Sequence, residues 1–168
     1  APSQQPAQDG YREGRWGNGA AEIVSVRLLD DRGTERHVYV PGERLIVELD
    51  VRAAAPLDDF VFGVGVFTAD GVSVYGTNTH LEDYLPVRLV GQATVRLILD
   101  NLRLVEGSYL LDVAAHKRDG TPYDYHRGLY TFRVKSRVKD VGVYRPEHTW
   151  EFRGGAEPDR GPARRRAA

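Results

Sequence analysis

The sequence contains no cysteine and no methionine. Without cysteine there is neither a disulfide framework nor a thiolate metal site, and the composition fits a reducing compartment. Without methionine the chain lacks an initiator of its own, and we expect it to be part of a longer one. No apolar run approaches the ~18 residues of a membrane-spanning helix, and residues 1–10 hold no signal-peptide core. An excess of either charge is missing too: 23 Lys and Arg against 24 Asp and Glu leave a formal net charge of −1. Nothing in that total favours nucleic acid or an anionic membrane. The triple Arg164-Arg165-Arg166 has no aromatic interleaving, so no nucleic-acid partner is expected from it. The phosphate loop Gly-x-x-x-x-Gly-Lys-[Ser/Thr], the Gly-x-Ser-x-Gly elbow and the His-Glu-x-x-His helix are all absent. His37, His80, His116, His126 and His148 form no pair at metal-ligand spacing on one element. We therefore expect no metal, no cofactor and no catalytic turnover. Helical periodicity is lacking as well; no stretch reads as an amphipathic helix.

What is present is alternation of period two. At 168 residues and 41% hydrophobic content the chain can bury one core. Residues 44–53 alternate most cleanly, with Leu45, Val47, Leu49, Val51 and Ala53 inward and Arg44, Glu48, Asp50 and Arg52 outward; only Ile46 breaks the polar face. Over 21–29 the pattern puts Val24, Val26 and Leu28 inward. Over 92–100 it puts Ala93, Val95, Leu97 and Leu99 inward. A short edge strand is expected over 34–40, stopping at Pro41-Gly42, and Tyr130, Phe132 and Val134 mark another buried face. His148-Thr149-Trp150-Glu151-Phe152 alternates like a last strand. Eight or nine short strands with turns at regular spacing predict an all-β antiparallel sandwich of the immunoglobulin-like Greek-key kind. Glu106-Gly107-Ser108-Tyr109 resembles the start of a tyrosine corner, in which the Tyr109 hydroxyl bonds back to the preceding backbone. The expected organisation is a linker over 1–14, the sandwich over 15–153 and a disordered tail over 154–168.

The most informative stretch is 60–79, two strands joined at Asp70-Gly71, a strong hairpin signal. Phe62, Val64 and Val66 share one face; Gly63, Gly65 and Phe67 share the other. A face with two bare glycines allows close approach to the backbone, or else makes room for a neighbouring bulky side chain. The second strand adds Tyr75 or Asn78 to that face, depending on register. If the Tyr109 strand lies in the same sheet, Asp112 and His116 join it. A loop of Tyr123, Asp124, Tyr125 and His126 would then overhang one end. Asn78 and Asp124 have an equally good structural reading, as residues that pin loops together. Aromatic faces against sugar C–H surfaces, with amide, carboxylate and imidazole groups for the hydroxyls, suit a glycan.

The segments Arg15-Trp16-Gly17-x-Gly19-x-Ala21-x-Ile23, Tyr75-Gly76-Thr77-Asn78-Thr79, Glu106-Gly107-x-Tyr109, Tyr123-Asp124-Tyr125 and Gly142-Val143…His148-x-Trp150 together resemble one family. It is the C-terminal carbohydrate-binding domain of the ATP-binding (Wzt-type) subunit of bacterial O-antigen polysaccharide ABC exporters, and the similarity runs from about Arg15 to Phe152. The resemblance implies a non-catalytic β-sandwich on the cytoplasmic side of the membrane, carried on a linker from an ATP-binding domain. It implies the exported polysaccharide and the transporter membrane subunit as partners, and a homodimer that exchanges its C-terminal strand. The residues alone leave open two other functions: an accessory module of a carbohydrate-active enzyme, or an immunoglobulin-like interaction domain without a small ligand.

Overall fold

The computed structural model describes residues 14–84 and 87–156, so the linker and tail expectations fall mostly outside it. Two β-sheets face one another across one core. The smaller has the order β2 (Ala21–Leu29), β4 (Leu45–Leu57), β7 (Leu89–Leu99). The larger runs β1 (Gly14–Trp16), β9 (Pro122–Val134), β8 (Gly107–His116), β5 (Val61–Thr68), β6 (Ser73–Asn78), with β3 (Val38–Tyr39) pairing β9 as well. All pairings are antiparallel except β3 with β9. No helix occurs among the described residues.

The alternation read from the sequence is what brings the sheets together. Leu45, Val47, Leu49 and Val51 of β4 are buried, as are Phe62, Val64 and Val66 of β5, and all belong to one hydrophobic cluster. Ala93, Val95, Leu97 and Leu99 of β7 also point to that core but are only half-buried, because β7 is the last strand of its sheet. The hairpin turns where Asp70-Gly71 places it: Gly71 has φ 88°, and the Thr68 amide donates to the Val72 carbonyl at 2.9 Å. The tyrosine corner is also present, with the Tyr109 hydroxyl donating to the Val105 carbonyl at 2.7 Å.

Four local expectations are corrected. Val24 is 57% exposed rather than inward. A bulge in β2 between Ile23 and Ser25 inserts one residue, so Ala21 and Ile23 face the core before it and Val26 and Leu28 after it. The strand expected over 34–40 shrinks to Val38–Tyr39, which lies parallel to the end of β9. The segment around Tyr123 is no overhanging loop but the first half of β9. Finally, 148–152 forms no strand within the single chain, and Trp150 is left 81% exposed.

Candidate functional site

The outer face of the larger sheet carries a hollow whose floor is made of the smallest side chains. Across β5, Gly63 lies opposite Asn78 of β6 and Ala114 of β8; Gly65 lies opposite Gly76 and Asp112. These rows of glycine and alanine sink the sheet surface below its neighbours. Phe67, Tyr75, Asn78, Leu81, His116 and Tyr125 rise around them, enclosing about 250 Å³. The expected register alternative resolves in favour of Asn78, which shares the Gly63 row. Tyr75 pairs with Val66 instead, yet it is half-exposed and still borders the hollow.

Both readings of the glycines have a place here. A Cβ on Gly65 would meet the Phe67 ring at 3.0 Å, so that glycine makes room for a ring folded back over it. Gly63 is buried as well, but a Cβ there would meet nothing closer than Asn78 Cβ at 3.5 Å. Asp112 lies at the back of the hollow, buried, where it accepts from the Gly128 amide at 2.8 Å and stands 3.4 Å from the Tyr125 hydroxyl. It thereby holds the kink at which β9 slips register against β8. The Tyr125 ring is stacked on Trp16 with centroids 4.6 Å apart, and the Arg127 guanidinium lies over both rings. Burial, with Asp112 adding to it, raises the Tyr125 phenol above its usual range, so it remains a neutral donor.

Eight of the ten residues expected at the site therefore border one hollow: Gly63, Gly65, Phe67, Tyr75, Asn78, Asp112, His116 and Tyr125. Tyr123 and Asp124 do not. Tyr123 is in the core and donates to the Asp59 carbonyl at 2.7 Å. Asp124 faces inward too, opposite Ala115, and is fully engaged there. It accepts a two-pronged contact from Arg15 (Nε and Nη2 both at 2.8 Å), the Ile23 amide at 2.7 Å and His126 Nε2 at 3.1 Å. A register slip between Ala115 and His116 inverts the parity that a plain strand would have. Leu81 and Trp16 were not anticipated at this surface. Leu81 arrives through a turn that no periodicity marks, whereas Trp16 was visible as a large aromatic beside glycines.

A second, larger opening of about 660 Å³ lies where the sandwich gapes between the edge strands β6 and β7. Phe62 and Val64 line one wall, Leu49, Val95 and Leu97 the other, and the lining is mostly apolar.

Residues 12–146 match the family model described as the Wzt C-terminal domain. Over 143 residues the chain is 34% identical to the O-antigen export system ATP-binding protein RfbB of Myxococcus xanthus, a match covering 85% of the chain and 32% of that protein. The chain thus spans about a third of the length of this curated relative. Among solved structures, the crystal structure of the C-terminal domain of Wzt superposes with a TM-score of 0.76 at 23% identity, covering 86% of this chain and 92% of that one. At that identity the likeness is one of fold.

Proposed function

The chain belongs to the Wzt C-terminal domain family, and on that premise we propose that it is the glycan-recognising part of an O-antigen ABC exporter's ATP-binding protein. In this reading it works at the cytoplasmic face of the membrane, turns over no bond, and presents the polysaccharide to the transporter's membrane subunit. The observation that carries the reading is the hollow over Gly63. It offers a floor free of bulky side chains, aromatic walls for sugar C–H faces, and an amide and an imidazole for hydroxyls. Gly63, Gly65, Phe67, Tyr75, Asn78, Asp112, His116 and Tyr125 are its site residues. Asp124 and Tyr123 support it from within, by holding β9 in place.

The functional unit is a homodimer in which residues 148–152 of each chain complete the partner. Two features support this: an exposed apolar pair, Trp150 and Phe152, and a gaping apolar cleft between two strand edges that are unpaired among the described residues.

The glycan reading is tested by titrating the surface polysaccharide of the encoding organism while following backbone amide shifts. We expect shifts concentrated on β5, β6 and β8 around Gly63, and loss of binding in Tyr75→Ala and His116→Ala. Shifts confined to other faces, or undiminished binding by both variants, would refute it.

A further inference from the structure

Two side chains on the rim of the hollow have their hydrogen-bonding polarity set by neighbouring backbone. His116 Nδ1 lies 2.6 Å from the Lys117 carbonyl oxygen. A carbonyl only accepts, so Nδ1 carries the proton, and in the neutral ring Nε2 is left as a pure acceptor. Asn78 is its complement. Its Oδ1 accepts from the Leu81 amide at 2.8 Å, which leaves the Nδ2 end, a double donor, without a partner among the described residues. A Cβ built on Gly63 would fall 3.5 Å from Asn78 Cβ and 4.0 Å from His116 Nε2. Gly63, buried and without a side chain, thus lies beneath the gap between a fixed acceptor and a fixed donor.

We infer that the hollow seats one uncharged sugar residue over Gly63, through a hydroxyl that donates to His116 Nε2 and accepts from Asn78 Nδ2. This rests on the glycan-binding reading and goes beyond it by naming the chemistry selected. A hydroxyl is the group that satisfies both partners at once. A carboxylate or phosphate oxygen would suit Asn78 but present a lone pair to the lone pair of Nε2. Charge agrees: no Lys or Arg lines the hollow, and its one carboxylate, Asp112, is buried behind it. A phosphorylated, sulfated or uronic residue would therefore find no Lys or Arg in the lining to pair with, and Arg127 behind the hollow is already engaged with Asp112 at 3.8 Å.

The test uses NMR on the 168-residue chain. Ring ¹⁵N shifts should show His116 protonated at Nδ1. Neutral methyl glycosides (mannoside, galactoside, glucoside, rhamnoside) should, for at least one sugar, move the Asn78 side-chain amide and His116 Nε2 signals. Methyl glucuronide and a hexose 6-phosphate should leave them in place. Gly63→Ala, whose added methyl meets only ordinary contacts, should keep the spectrum of the fold and weaken the neutral glycoside about tenfold. Asn78→Asp, which keeps the bond to Leu81 but turns the donor into an acceptor, should weaken it by a similar factor. Proton on Nε2, charged glycosides bound as well as neutral ones, or full affinity in both variants overturns the donor–acceptor assignment alone. Absence of response to every glycoside overturns it together with the glycan-binding reading.

Discussion

Several polar side chains of this fold have internal partners whose contribution can be measured one residue at a time. Tyr109→Phe removes the hydroxyl that satisfies the Val105 carbonyl, and should cost about 1.5 kcal/mol in urea unfolding without changing the spectrum of the folded state. Asp124 and His126 are buried contributors to the acid response. Burial alone would raise the Asp124 carboxyl, but Arg15, the Ile23 amide and His126 outweigh it and hold it below the ordinary aspartate range. That stabilisation is complete above the unfolded value near about pH 4 and is lost as pH falls through the folded one. His126 is lowered because burial disfavours the imidazolium more than Asp124 favours it. The folded state therefore takes up this proton less readily than the unfolded chain, and stability declines as pH drops below about 6.5. We expect the urea midpoint to fall in two stages on acidification. His126→Gln should flatten the upper stage. Asp124→Asn should shrink the lower one, to which Asp30, Asp50 and Asp119 also contribute through their own lowered carboxyls. An upper stage unchanged in His126→Gln would show that its burial is not what the pH dependence reports.

Among the elements, β1 explains a motif whose purpose the sequence left open. Gly17 (φ 147°) lies flat against β9, so that a Cβ would sit 2.2 Å from the Tyr123 carbonyl oxygen. The amides of Asn18 and Gly19 then bond to Pro122 and Tyr123, and Arg15 and Trp16 reach Asp124 and Tyr125. Aromatic, glycine and arginine thus form one seam that closes the sheet edge. Gly17→Ala should open it, at a cost of about 3 kcal/mol, with a red-shifted Trp16 emission as the local readout. On the smaller sheet, Glu48 sits on the outer face yet is only 2% exposed, because Arg27 and Arg96 of the flanking strands close over it. Alternation marked Glu48 correctly as outward; the cover supplied by its neighbours could not be read from its own strand.

For the whole molecule, the proposed exchange rests on the apolar cleft between β6 and β7 and the exposed Trp150 and Phe152. Light scattering should show a dimer for the intact chain and a monomer for a chain ending at Glu147. That end point keeps Val143, which packs on the core and accepts from the Val105 amide, and Tyr144, which bridges to Leu104. A monomeric intact chain, or a dimer that survives the truncation, would exclude the exchange. The sequence by itself determined the all-β class, the inward faces of β4, β5 and β7, the Asp70-Gly71 turn and the Tyr109 corner. Each of these depends on a period of two or on contacts within a few residues, which a single stretch of chain contains. It also placed most of the hollow, because Gly63, Gly65, Asp112 and His116 needed only parity and a shared sheet. Tertiary structure alone decided that Val24 is outward and that Tyr123 and Asp124 are inward. Both follow from a bulge or register slip, which is a property of two paired strands and inverts every side chain beyond it. It decided too that 148–152 is no strand in the single chain, since alternation supplies a face but a strand also needs a neighbouring strand to complete its ladder of hydrogen bonds.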